Sequence, residues 1–207
     1  MSFMEYDSPL TTMINKTVDM ILLSALWFVC CLPVVTIGAS TTALYYSTVK
    51  AIRKNRGYAV KNFFHAFRLN FLPATLLGLL FGALTAVLYI CFVYASVLED
   101  GSFRFFVTTV YLFMGFVILG IGCFAFPVLS RCSMKCGEIV RFSFGLLVKH
   151  FPLALIMVLI VVAAVYVMWM IPLFAFCIPT VATMMFSLPT EKVLRRYTPD
   201  DTASWYS

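Results

Sequence analysis

Between Phe71 and Val97 the chain carries no charged residue, and other long apolar runs lie before and after it. Crossing the hydrocarbon core of a bilayer takes about 20 apolar residues in a helix, at about 1.5 Å of rise per residue. A helix meets its own backbone hydrogen bonds where there is no water to meet them. Such a chain is expected to be all-α: a polytopic transmembrane helical bundle of about five spans, forming a single domain over 1–207. The spans are read at about residues 18–37, 71–97, 103–128, 151–170 and 171–189. The last is short and interrupted by Pro172 and Pro179, but it is uncharged, and the nearby Trp169 suits a membrane interface.

The composition agrees. Hydrophobic residues make up 62% and charged residues 12%, against an apolar share of about half in a soluble domain. The net charge of +6 does not point to nucleic acid, because no recognition fold accompanies it. Its placement is what matters. Lys50, Arg53, Lys54, Arg56, Lys61 and Arg68 lie between spans one and two, and Arg131, Lys135, Arg141 and Lys149 between three and four. Lys192, Arg195 and Arg196 follow the last span, leaving only Lys16 and Arg104 for the other side. Cations collect on the cytoplasmic side of a membrane. The N-terminus is therefore expected outside and the C-terminus in the cytoplasm of a multi-pass cell-membrane protein, targeted by its own spans. Seven cysteines, an odd number lying mostly within apolar runs, suit packing rather than a disulfide framework.

Two basic segments, 39–70 and 130–150, are expected to lie at the cytoplasmic interface as amphipathic helices. In the first, Val60, Phe63, Phe64, Phe67 and Phe71 follow the spacing of one helix face, with Lys61, His65 and Arg68 opposite. That pattern predicts a helix lying on the membrane. Lys50, Arg53, Lys54, Arg56, Lys61, His65 and Arg68 are then candidates to bind anionic lipids or an acidic partner, or serve only to set the topology. A faint repeat links the segments: Leu32-Pro33-Val34 leads into the first and Phe126-Pro127-Val128 into the second, and Phe71-Leu72-Pro73 and His150-Phe151-Pro152 lead out.

No catalytic constellation is visible. The nine carboxylates sit at span ends or in tails, and no zinc helix, nucleophile elbow or phosphate-binding glycine loop occurs. Cys132 and Cys136 with His150 do not have the spacing of a zinc knuckle. The chain is thus expected to be no enzyme and to hold no cofactor or metal. Asn15, Asp19 and Arg104 are polar candidates for an outer mouth, as a coupling site or as an interfacial charge pair. Ala74, Gly78, Gly82 and Ala86 form a small-residue ridge that would let another helix approach closely: span one, span four or a second copy in a homo-oligomer.

Asp7-Ser8-Pro9-Leu10, Asn15-Lys16, Leu26-Trp27, Leu32-Pro33-Val34-Val35-Thr36-Ile37-Gly38, Ala43-Leu44-Tyr45-Tyr46, Gly57-Tyr58 and the run from Phe63 to Phe71 follow in fixed order. On these residues the first 73 positions resemble the YesL-like family of bacterial integral membrane proteins, a domain of unknown function; the later spans resemble it only in hydropathy. Where many relatives have Gly-Pro-Ala, this chain has Gly38-Ala39-Ser40. The resemblance implies a bacterial cell-membrane protein, often encoded beside sugar-uptake ABC transporters, two-component regulators and glycoside-degrading enzymes. Its expected role is a non-enzymatic accessory to carbohydrate (ABC-type) uptake or its sensing, with the transporter or a sensor protein as partner. The competing expectation is a small oligomeric transporter or channel.

Overall fold

The computed structural model describes residues 9–53, 58–96, 101–131, 134–171 and 177–197, and every regular element among them is helical. The α-helices are α1 (Pro9–Cys31), α2 (Ile37–Ser47), α3 (Ala59–Leu69), α4 (Phe71–Ser96), α5 (Gly101–Arg131), α6 (Cys136–Lys149), α7 (Phe151–Met170) and α8 (Ile178–Tyr197). Four of them, α1, α4, α5 and α7, are long and apolar enough to cross a membrane. Their outward faces carry Leu76, Phe113 and Leu159, each exposed by 60% or more. So much bare hydrocarbon is unfavourable against water and natural against lipid. The exposed Thr85 hydroxyl donates to the Phe81 carbonyl and that of Thr109 to Phe105, both at 2.8 Å. Turning back one helical turn leaves neither hydroxyl unmet in hydrocarbon.

Helix α4 packs on α5, α5 on α7, α7 on α8 and α8 on α1, while α2 lies inside this arc against α1, α4, α5 and α8. Helix α4 shares no packed face with α1 or α8, and α2 and α3 each bridge α4 to α1. The ends of α5 and α8 and the starts of α4 and α7 gather at one end of the bundle. There Cys136, at the start of α6, reaches the Pro73 carbonyl (3.7 Å), and His150 reaches the Tyr197 hydroxyl (3.4 Å).

The first basic segment departs from expectation. Helix α1 stops at Cys31, and the Thr36 hydroxyl caps it by donating to the Cys30 carbonyl (2.6 Å) and the Pro33 carbonyl (2.7 Å). After a 3₁₀ turn, Val34–Thr36, the chain enters the bundle instead of running along a surface. From Gly38 to Val49 every residue except Thr41 is buried. The sequence permits this because α2 is small on most sides (Gly38, Ala39, Ser40, Ala43) and its hydroxyls need no outside partner. Ser40, Thr41, Thr42 and Ser47 each donate to the carbonyl four residues back. A π-helical stretch, Thr48–Arg53, leads out of it.

Helix α3 is amphipathic, but its buried face is rotated from the expected one. Ala59, Phe63 and Ala66 are buried and Phe67 is half-buried, whereas Val60, Phe64 and Phe71 are exposed. The alanines let α3 lie close against α2, and this contact decides which phenylalanines turn inward.

The stretch read as a fifth span is described only in part. Helix α8 begins at Ile178 and runs through Pro189 to Tyr197, and it is not among the helices long and apolar enough to cross. It enters beside the middle of α1: the Thr180 hydroxyl donates to the Met20 carbonyl (3.1 Å) and lies 2.6 Å from that of Ser24. Residues 172–176, with Pro172, lie outside the described residues, as do 97–100 of the acidic turn; Gly101 and Ser102 already belong to α5.

Candidate functional site

Arg131 is the last residue of α5, and Glu191 lies in the last third of α8. Their side chains form an ion pair with each only 2% exposed, the guanidinium donating to Glu191 Oε1. From α2 the Tyr45 hydroxyl donates to the same oxygen at 3.5 Å, and the Tyr45 ring stands edge-on to Phe186 at 6.2 Å. Taking two charges out of water is costly, and removing one partner from such a pair leaves a buried charge uncompensated. Three helices distant in sequence are thereby pinned at one point. The seat on α8 is compact, since Ser187 and Thr190 turn their hydroxyls back to the carbonyls of Met184 and Phe186.

Next to the pair lies a cavity of about 240 Å³, walled by α2, α4, α5, α7 and α8. Tyr45, Phe81, Gly122, Phe126, Val161 and Phe186 line it. Its threonines, Thr41, Thr85 and Thr183, donate to the carbonyls of Ile37, Phe81 and Pro179 on their own helices, so the wall is apolar in effect. Tyr45 belongs to both features, with its ring on the cavity and its hydroxyl on the ion pair.

A second, open groove at the gathered end is lined by Glu138, Arg141, Phe142, Lys149 and Tyr197 among others. The Lys149 ammonium stands 4.9 Å from the Tyr197 ring centre, a cation–π distance.

The residues singled out from sequence fall into three groups. Lys61, His65 and Arg68 are exposed on α3. Lys50 is half-buried, donating to the Tyr46 hydroxyl at 3.2 Å. Lys54, Arg56 and the Arg53 side chain lie outside the described residues. The small ridge is half used, and by a helix not foreseen. Ala74 and Gly78 meet Gly38 of α2, where a Cβ built on Gly38 would stand 2.2 Å from the Ala74 carbonyl oxygen. Gly82 and Ala86 are exposed. Asn15, Asp19 and Arg104 are not brought together, because α1 and α5 share no packed face. Cys132 is outside the described residues, and Cys136 and His150 are engaged with Pro73 and Tyr197.

The ion pair itself was not visible in the sequence. Arg131 sits among exposed cations, Glu191 just before a basic tail, and sixty positions separate them. The one available signal is that Glu191 follows a mostly apolar, hydroxyl-rich stretch that leaves little room for solvent.

Four apolar helices with bare outward faces and a charge pair held within define a helical membrane protein. Residues 20–92 match the family described as "Protein of unknown function, DUF624". The match runs from within α1, through the buried α2 and α3, to near the end of α4, and leaves Arg131 and Glu191 outside it. No curated protein and no solved structure matches the chain.

Proposed function

We propose that this protein is a non-catalytic accessory of the bacterial cell membrane, serving carbohydrate uptake by an ABC-type transporter or its sensing. The observation that carries this reading is the closed state of the polar centre. Arg131 and Tyr45 both donate to Glu191 behind helix walls, as befits a structural clamp and not a water-lined path. The resemblance of the first 73 residues to YesL-like proteins supplies the setting. The working surface is the basic one, cytoplasmic by its cations: exposed Lys61, His65 and Arg68 on α3 and Arg141 and Lys149 on α6 face anionic lipid or an acidic surface of the transporter or sensor.

The test is deletion of the gene in its host, followed by initial uptake of labelled oligosaccharides and growth on complex glycans. Uptake of at least one oligosaccharide falls, and a Lys61→Glu/Arg68→Glu protein that still reaches the membrane does not restore it. Unchanged uptake and growth on every glycan refutes the reading. The cavity favours a second one, a small oligomeric transporter or channel. Flux of a sugar or ion through vesicles holding only the purified protein, lost in Asp19→Asn, would install it in place of the first.

A further inference from the structure

We infer that the cavity beside Tyr45 is a binding slot for one acyl chain of a bilayer phospholipid. Its depth comes first. Phe81 lies ten residues into α4, about 15 Å of rise, and Gly122 nine residues before the end of α5, about 14 Å. Both distances place the slot near the centre of a hydrocarbon core about 30 Å thick. Its mouth comes second. The lining residues Leu119 and Thr85, on the adjoining helices α5 and α4, are exposed to the surrounding medium.

Its chemistry comes third. The wall threonines are satisfied within their own helices, so a water entering the slot would lack the two to four polar partners that hold a buried water. An empty slot would forfeit the dispersion contacts of its lining. A hydrocarbon chain restores those contacts and finds nothing polar to desolvate. Phospholipid is the bulk solvent at this depth, and mass action favours it over a scarcer guest. The space exists because position 122 has no side chain: a Cβ there would meet nothing within 4 Å.

The experiment uses the full chain in mild detergent, with bound lipid identified by native mass spectrometry after bulk lipid is stripped. Wild type retains one phospholipid per chain. Gly122→Leu places its side chain in the slot without a clash, and Val161→Phe fills it from the α7 wall. Each lowers retention about tenfold, or about 1.4 kcal/mol, while helix content by circular dichroism stays that of wild type. Gly115→Leu, on the same helix with an equally open Cβ position but outside the slot, keeps the lipid. If Gly122→Leu does not fold, Val161→Phe gives the answer alone. Retention unchanged in the folded filling variants overturns the inference. So does a retained molecule whose mass is that of a polyprenyl lipid, or a wild-type chain that retains none.

Discussion

The two places where the chain turns at the gathered end begin alike and finish alike, yet differ between. Both follow an apolar helix with a proline near its end, Pro33 after α1 and Pro127 in α5. Both leave through a matching turn: Asn70 and His150 each donate N–H to the carbonyl four residues back and accept from the amide four residues on, at Ala74 and Ala154. At Pro33 the helix stops and a fresh helix dives into the bundle; at Pro127 the helix continues to Arg131. A proline removes one hydrogen bond and crowds the carbonyl before it, but the surroundings decide whether the helix ends there. At Pro33 the Leu32 N–H takes the Val29 carbonyl and the Thr36 hydroxyl donates to those of Cys30 and Pro33, and Gly38 lets the next turn slide against Ala74 and Gly78. After Pro127, Arg131 is drawn inward by Glu191, which holds the last turn of α5 in place. One turn is anchored by close backbone contact, the other by charge.

The largest expected effect breaks the charge anchor. Glu191→Leu leaves the Arg131 guanidinium buried without its carboxylate and is expected to cost about 3–5 kcal/mol, read as a fall in the thermal midpoint of the purified protein in detergent. Arg131→Met in the same chain is expected to recover most of the loss, since an apolar pair of similar volume is often as stable as the ions it replaces. If the double variant is no better than Glu191→Leu alone, burial of charge is not what makes that site sensitive.

The next effect sharpens the account of the first turn. Phe63 is fully buried between α3 and α2, while Phe64 is 41% exposed. Phe63→Ala is expected to cost about 3–4 kcal/mol and Phe64→Ala about 0.5 kcal/mol or less, by the same melting measurement. Equal losses would restore the face expected from periodicity alone.

That pair of phenylalanines also marks what could be read in advance. The apolar runs and the cations between them announce an all-α membrane bundle, because lipid leaves a chain of this composition no other way to satisfy its backbone. The apolar stripe of α3 announces a helix but not its rotation, since Phe63, Phe64 and Phe67 look equally ready for burial until the position of α2 is known. Helix α2 lay hidden for a similar reason. Its small and hydroxylated residues score as neither core nor surface, and only contact with α4 shows that smallness served close packing. The Arg131–Glu191 pair was the least legible, because pairing across sixty positions is a property of the assembled helices and leaves no local period.

The smallest effect compares the two anchors through their glycines. A Cβ on Gly38 would lie 2.2 Å from the Ala74 carbonyl oxygen and 3.0 Å from the Gly78 Cα, both backbone atoms of a packed helix that can yield only by moving the helix. A Cβ on Gly120 would lie 2.3 Å from Leu147 Cδ1, and its next neighbour, Leu147 Cγ, is 3.8 Å away. That methyl ends a flexible side chain and can rotate aside. Both substitutions gain about 1 kcal/mol of helix preference for alanine over glycine. Only Gly38→Ala sets against this an overpacking strain at or above the usual 1–3 kcal/mol. Gly38→Ala is therefore expected to lower the thermal midpoint, with a net loss of about 1–2 kcal/mol, while Gly120→Ala leaves it unchanged or raises it slightly. Were Gly120→Ala to lose as much as Gly38→Ala, the close backbone approach would not distinguish the first turn from the second, and the contrast between them would rest on the ion pair alone.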